Sequence, residues 1–245
     1  MNSVHNRLRN ILFDLIFFMI SFCVSALAQG DDIVHRSFPH PLNATMAIPD
    51  PVGSYNIRLN GFRQVHNSEA SYDVSGHLSY GMFEWGGIHV RSLGVRTTPL
   101  TEVIGMVGLW RNARKTQGIS LLSIVGFPTG KKEEGEHYGR SYLAGLTARF
   151  VHEDIIINDI ILHYDFTAKH YIAETGSVLR IREGLFSTLD VRGTFGSDPP
   201  NISILTSIKS QIASGLFIAL GYHGPATSGR TFTHQILVQI ELGSH

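Results

Sequence analysis

Two short stretches of the chain place a histidine close to an acidic residue at alternate positions. Asp73, Ser75 and His77 follow one another at every second residue. His163 and Asp165 repeat this spacing. Serine, histidine and aspartate act as nucleophile, base and orienting acid only when hydrogen bonds join them. Side chains two residues apart on a strand lie roughly 7 Å apart, because each residue rises ~3.3 Å, so the spacing favours a polar strand face over a catalytic triad.

The alternation that carries these residues extends over most of the chain. In residues 71–82, which read SYDVSGHLSYGM, Tyr72, Val74 and Leu78 alternate with polar residues. Successive residues of a strand point to opposite faces, so the pattern predicts a strand with one apolar and one polar face. We therefore predict an all-β fold of about twelve strands, in segments of about ten residues. Further patches of period two lie at residues 55–60, 88–91, 141–150, 159–167, 189–195 and 235–241.

The apolar faces decide between two architectures. If they contact lipid, the chain is an antiparallel transmembrane β-barrel whose polar faces line a lumen. If they pack on one another, the chain is a soluble sandwich or a closed barrel with an apolar core. Charged residues scattered over many polar faces, and aromatic residues near strand ends, favour lipid. The predicted lumen-facing polar residues are Asp73, His77, Arg149, His163, Asp165 and Arg192.

Part of the pattern is ambiguous. Residues 101–111 and 118–127 are apolar on both faces, so their inward and outward positions are not readable from the sequence.

The first residues have the order of a secretory signal peptide. Arg7 and Arg9 precede the short apolar run 15–24, and Ser25-Ala-Leu-Ala28 supplies the small residues of a cleavage site. The run is shorter than the ~20 residues that a membrane-spanning helix needs. We therefore predict that residues 1–28 are removed and that the mature chain begins at Gln29.

The remaining chain divides into two parts. Residues 29–53 contain several prolines and no periodic pattern, and they are predicted to be an irregular N-terminal segment. This segment is long enough to enter a barrel lumen as a plug, although no residue in it demands that position. Residues 54–245 carry the alternating pattern and are predicted to form one β-barrel domain.

Composition excludes several kinds of chemistry. The chain has 20 Lys and Arg residues against 20 Asp and Glu residues, so no basic field for nucleic acid is expected. Its single cysteine, Cys23, leaves with the signal peptide, which rules out disulfides, cysteine-ligated zinc and thiol catalysis in the mature chain. The histidine spacings fit no metal-ligand motif, and no nucleotide-binding or serine-hydrolase motif occurs. We expect no cofactor and no metal.

A resemblance to a known family rests on two stretches, Leu78-Ser-Tyr-Gly81 and Phe127-Pro-Thr-Gly130. The second is followed by Lys131-Lys-Glu-Glu-Gly135. In these residues the chain resembles the outer-membrane transporter-like family named for the phenol meta-degradation pathway. The resemblance implies an outer-membrane barrel that moves small molecules, hydrophobic ones included, and it supplies no catalytic residues. The chain departs from the family at residues 104–109, which lack an expected Asp. It also lacks the terminal aromatic residue that the barrel-insertion machinery reads.

Three functions follow from these observations. The first is a non-catalytic channel or transporter in a Gram-negative-type outer membrane, with membrane lipid, a small-molecule solute and the barrel-insertion machinery as partners. The second is a secreted or periplasmic barrel that binds a small ligand, and the third is an outer-membrane barrel enzyme. About twelve strands predict a narrow lumen, in which opposite inward charges pair and partly block the passage.

Overall fold

A computed structural model of the chain describes residues 39–41, 47–66, 69–93, 100–114, 116–129, 140–153, 155–196, 200–226 and 234–244. The predicted signal peptide, residues 1–28, lies outside the described residues. The Lys131-Lys-Glu-Glu-Gly135 stretch of the family resemblance also lies outside them.

Twelve β-strands form the described part of the chain, which confirms the predicted all-β class and strand number. Each strand is antiparallel to its neighbours, and β1 pairs with β12 from Tyr55 opposite Ser244 to Val65 opposite His234, which closes the barrel. Closure removes the two edges that an open sheet would have at β1 and β12. The described residues contain no helix long and apolar enough to cross a bilayer. The strands are β1 (Tyr55–His66), β2 (Glu69–Phe83), β3 (Gly86–Ser92), β4 (Leu100–Arg111), β5 (Gly118–Pro128), β6 (Ser141–His152), β7 (Ile156–Asp165), β8 (His170–Arg182), β9 (Leu185–Phe195), β10 (Asn201–Ala213), β11 (Leu216–Pro225) and β12 (His234–Ser244).

The two rims of the barrel differ in the length of their connections. We call the rim that carries Tyr55 and Ser244 the terminal rim, and its connections span residues 84–85, 112–117, 153–155, 183–184 and 214–215. The opposite rim, here the loop rim, has connections at residues 67–68, 93–99, 129–140, 166–169, 196–200 and 226–233. Short turns at one rim and longer loops at the other are typical of outer-membrane barrels.

Glycine makes two of the tight turns at the terminal rim possible. Gly184 and Gly215, the second residues of the two connections, both have a φ of 70°, in the left-handed region that glycine adopts readily. A side chain at Gly215 would also place its Cβ 2.3 Å from the carbonyl oxygen of Gly243. These glycines therefore join β8 to β9 and β10 to β11 without strain.

Side chains alternate between the outside and the inside of the barrel along every strand. On β2, Val74 and Leu78 are 53% and 46% exposed, whereas Asp73 and His77 are buried. On β7, Leu162 is exposed and His163 is buried. The outer surface is therefore apolar, and the polar positions of the alternating pattern face inward.

The interior also contains apolar side chains, which explains the two stretches whose phase is not readable. On β4 and β5, inward-facing Ile104 and Leu122 are buried, while Val107 and Leu121 are exposed on the outside. These strands are apolar on both faces because their inner face packs against other apolar residues. We call this inner cluster the apolar wall; it consists of Ile104, Met106, Leu122, Ile124, Leu143, Ile161 and Ile172.

Candidate functional site: the barrel interior

The inner face of β12, β1, β2 and β3 is lined by hydrogen-bonded polar side chains. Asn60 donates to the Ser75 hydroxyl over 3.0 Å and accepts from the Gln239 amide over 2.8 Å. We call this surface the polar wall; it consists of Asn56, Arg58, Asn60, Ser75, His77, His89, Gln239 and Glu241. It adjoins the apolar wall across β3 and β4, and further buried apolar clusters line the inner faces of β6 to β12.

A relay of hydrogen bonds runs from Arg58 to His89 within the polar wall. The Arg58 guanidinium donates to Nδ1 of His77. Because Nδ1 accepts, the proton of a neutral His77 ring lies on Nε2, which is 3.2 Å from Nδ1 of His89. Ser75 bonds to Asn60 on the neighbouring strand. Ser75 and His77 are therefore engaged with different partners, and the geometry of a nucleophile and base is not formed between them.

In the described part of the barrel, four pairs of a lysine or arginine with an acidic residue join inward-facing charges of different strands. The Arg149 guanidinium donates twice to the Asp159 carboxylate, over 2.7 and 2.6 Å, and both side chains are buried. Arg149 and Asp159 are directly opposite in the β6–β7 register. Two bonds of this length are those of a strong, bidentate pair. The other pairs are Arg91–Glu102 at 2.5 Å, Lys209–Glu241 at 2.6 Å and Arg192–Glu174 at 3.4 Å.

Two of the predicted lumen residues, Arg149 and Arg192, lie in these pairs. The sequence pattern does not identify Asp159 and Glu174 as their partners. Arg149 is buried, and Arg192 is 44% exposed in its side chain. Arg192 lies opposite Glu174 in the β8–β9 register, as Arg91 lies opposite Glu102 between β3 and β4. Strand alternation predicts whether a side chain points inward, but only the strand register determines which residue lies opposite it.

The other predicted residues have separate environments. Asp73 and His77 are buried in β2. The Asp165 carboxylate lies at the loop rim and accepts the N–H groups of Thr167 and Ala168 over 2.8 and 2.9 Å. Asp165 therefore stabilises the β7–β8 turn.

His163 lies among the residues of the apolar wall. It follows Ile161 on the inner face of β7 and is opposite Ile172 of β8. Neither of its ring nitrogens has a hydrogen-bond partner in the described part of the protein. A Cβ at Gly145, opposite His163 on β6, would lie 2.6 Å from His163 Cα, so the wall fits the histidine only because residue 145 is glycine.

Residues 39–41 and 47–50 of the N-terminal segment lie inside the barrel. His40, Pro41, Ala47, Ile48 and Asp50 are all buried. The Ala47 carbonyl oxygen accepts from the Thr147 hydroxyl of β6 over 2.6 Å, and that of Pro49 accepts from Arg111 of β4 over 3.0 Å.

The chain then passes to the barrel wall beside β2. Val52 bridges Gly81, where a Cβ would lie 2.0 Å from the Pro51 carbonyl oxygen. Glycine at position 81 therefore permits the N-terminal segment to pass close to the strand.

A small pocket lies between the loop-rim half of β8 to β11 and the lumen. Its volume is about 80 Å³, and its lining includes Glu174, Asp190, Arg192, Leu205 and His223. Pockets that enclose a drug-sized ligand measure roughly 300–1,000 Å³. This pocket is therefore too small for a ligand of that size.

No metal site is formed by the residues that the structure describes. Among them, no group of three or more His, Cys, Asp or Glu side chains is placed to hold a metal ion.

Comparison with known proteins shows a similarity in structure without one in sequence. No protein-family model matches the chain, and no curated protein matches it. The KdgM porin superposes with a TM-score of 0.60 at 11% identity, over 78% of this chain and 99% of that one. The fold is that of the outer-membrane porins.

Two further channels share this fold. The NanC porin has a TM-score of 0.61 at 8% identity, covering 76% of this chain and 98% of its own. An outer-membrane channel from Pseudomonas putida F1 has a TM-score of 0.60 at 7% identity, covering 83% and 100%. Identities this low establish the fold alone. None of these three is named for a phenol meta-degradation pathway, so that resemblance stays a prediction.

Proposed function

We propose that the chain forms a narrow channel for small molecules in a Gram-negative-type outer membrane and that it has no catalytic activity. The observation that carries this proposal is the apolar outer surface of a barrel whose interior is charged. Exposed large apolar side chains occur on all twelve strands. Tyr72 and Leu220, for example, are 61% and 62% exposed.

Lipid is the solvent that suits this surface. A soluble monomer rarely exposes a contiguous apolar patch larger than a few hundred Å². An apolar band that continues around the whole barrel fits the hydrocarbon of a bilayer, where a closed barrel satisfies its backbone hydrogen bonds internally. Membrane lipid and the barrel-insertion machinery are therefore the proposed partners of the outer surface.

The interior suits the slow passage of small solutes. Eight strands leave an interior that side chains fill, whereas sixteen or more leave a wide aqueous channel. Twelve strands, the ion pairs and the buried N-terminal segment leave a constricted lumen. We include hydrophobic molecules among the proposed solutes because the family resemblance implies them.

The names of the structurally similar proteins also support a transport function. The neighbours are named as porins and as an outer-membrane channel, and one KdgM structure is titled as a complex with disordered oligogalacturonate. The reactive side chains Ser75 and His77 bond to Asn60 and Arg58 in place of each other. A non-catalytic channel fits both observations.

Cell fractionation and gel migration test this proposal together. The mature chain is expected in the outer-membrane fraction, and its mobility in denaturing gels should change when the sample is boiled, because folded barrels resist detergent. A protein that remains soluble without detergent would contradict the proposal and favour the secreted ligand-binding barrel. N-terminal sequencing of the same fraction should begin at Gln29; retention of Met1 would contradict the predicted signal peptide.

A further inference from the structure

Three charged side chains converge on one point of the lumen from different strands. Arg58 of β1, Lys209 of β10 and Glu241 of β12 are each at most 2% exposed. Lys209 Nζ donates to one Glu241 carboxylate oxygen over 2.6 Å, and the Asn56 amide donates to the other over 2.9 Å. We call Arg58, Lys209 and Glu241 the seat.

The seat binds residues 39–41 of the N-terminal segment. Lys209 donates to the carbonyl oxygen of His40 over 2.8 Å, and Arg58 donates to that of Pro41 over 3.0 Å. Glu241 accepts both the backbone N–H and the ring Nδ1 of His40, over 3.2 and 2.6 Å. Two cations thus donate to the two neighbouring carbonyl groups, and one carboxylate accepts the backbone N–H of His40.

The bound stretch has the properties of a ligand. Pro39 and Pro41 lack N–H groups and fix their own φ angles, so His40 carries the one backbone donor of the three residues. Residues preceding proline are held in extended conformations, which reduces the entropy lost on binding. The strand register closes the barrel through β1 and β12, without residues 39–41.

The seat also needs a partner on energetic grounds. Buried charges are costly unless hydrogen bonds satisfy them, and the carbonyl oxygens of residues 40 and 41 take one donor each from Lys209 and Arg58. If the segment leaves, those donors require water or another acceptor. The seat can therefore exchange one oxygen-bearing ligand for another.

We propose that residues 39–41 are a displaceable internal ligand that closes the lumen, and that solutes with neighbouring carbonyl oxygens beside an N–H donor, of the short-peptide class, compete for the seat. This inference rests on the proposed channel function and names its regulation and a solute class.

A disulfide lock tests the placement and the motion in the full chain. An ideal Cβ at Gly176 lies 2.8 Å from Cβ of Pro41 and 2.8 Å from the flexible Asp190 carboxylate. A shift of about 1 Å brings a P41C/G176C pair to the ~3.8 Å typical of a disulfide. In a Cys23→Ser background the pair should oxidise readily, and the oxidised channel should conduct severalfold less than the reduced one. Failure to form the disulfide, or equal conductance in both states, would overturn the proposal.

Thiol labelling reports release without requiring conduction. In a P41C/C23S chain folded into lipid vesicles, maleimide labelling should be slow, and K209M/E241Q should accelerate it about tenfold. This double variant removes one cation and one carboxylate together, so the net charge of the seat is unchanged, and Arg58 keeps its hydrogen bonds to His77 and Pro41. The matched control is R149M/D159N, which removes a buried lumen pair whose hydrogen bonds join β6 to β7, and it should label at the parental rate. Equal rates in all three chains would refute the role of the seat.

The ligand class is tested with the peptide acetyl-Pro-His-Pro-amide. At millimolar concentration it should accelerate labelling of the P41C thiol severalfold in the parental seat and leave the K209M/E241Q rate unchanged. No acceleration in the parent would overturn the peptide class. If K209M/E241Q labels faster than the parent but no variant conducts, the internal ligand is supported and the channel function is contradicted. If all variants conduct and their labelling rates are equal, the channel function is supported and the displaceable ligand is contradicted.

Discussion

The outer and inner faces of the same strands select opposite kinds of side chain. On β12, Ile236, Val238 and Ile240 are about half exposed on the outside, whereas Gln239 and Glu241 are almost completely buried on the inside. A soluble barrel would show the reverse, with polar groups facing water and apolar groups in the core. The difference indicates that the solvent outside is hydrocarbon and that the polar groups inside must find partners among themselves.

Two regions of the inner face meet this requirement differently. The apolar wall has no polar groups to satisfy, except at His163, and packs by shape alone. The polar wall contains buried charges, and together with Lys209 it binds backbone groups of residues 39–41 through hydrogen bonds. Burying charge in this lumen therefore requires pairing, and the largest mutational effects should follow broken pairs.

Breaking the Arg149–Asp159 pair should have the largest effect. Arg149→Met leaves the fully buried Asp159 carboxylate without a partner, which should cost about 3–5 kcal/mol of unfolding free energy. The double variant R149M/D159N removes both charges and should recover most of this loss. Denaturant unfolding in lipid vesicles measures both, and equal destabilisation by the single and double variants would show that pairing is not what stabilises the interior.

Adjacent positions of β7 compare the two faces directly. Ile161 is fully buried in the apolar wall, so Ile161→Ala should leave a cavity and cost about 2–5 kcal/mol. Leu162 is 49% exposed on the outside, where lipid can fill the space vacated in Leu162→Ala, so the loss should be smaller. The same unfolding assay compares the two variants. A larger loss of unfolding free energy for Leu162→Ala would mean that residue 162, not residue 161, faces inward.

Arginine on the outer surface sharpens the assignment of its solvent. Leu220 lies midway along β11, whereas Tyr171 lies beside the β7–β8 turn, and both side chains point outward. Leu220→Arg should cost about 2–4 kcal/mol, and Tyr171→Arg only about 0–1 kcal/mol, because the penalty for charge falls from the bilayer midplane to the interface. Equal tolerance of both substitutions would mean that water, not lipid, surrounds the barrel.

The sequence predicts the strand number and the two faces because alternation is a local property. Asp73 and His163 are assigned inward, and Leu78 and Leu162 outward, from period two alone. The same logic fails for residues 101–111 and 118–127, because the inner face of β4 and β5 is apolar as well as the outer one.

Contacts between distant residues are not a local property. The pairing of Arg149 with Asp159 depends on a register set by all twelve strands, and the acid of each pair is not visible without it. The sequence shows that the N-terminal segment is long enough to enter the lumen. Its binding to the seat requires Arg58, Lys209 and Glu241 from three strands, which no spacing in the chain brings together.

Conductance in planar bilayers tests whether the chain is a narrow, weakly selective channel. The full chain should insert from detergent and give small current steps, because the lumen is constricted. It should discriminate weakly between small cations and anions, because inward charges of opposite sign are paired. Deletion of residues 30–51, which include the internal ligand at 39–41, should enlarge the steps. A large, strongly ion-selective pore, or a protein that never inserts and stays soluble without detergent, would contradict the account.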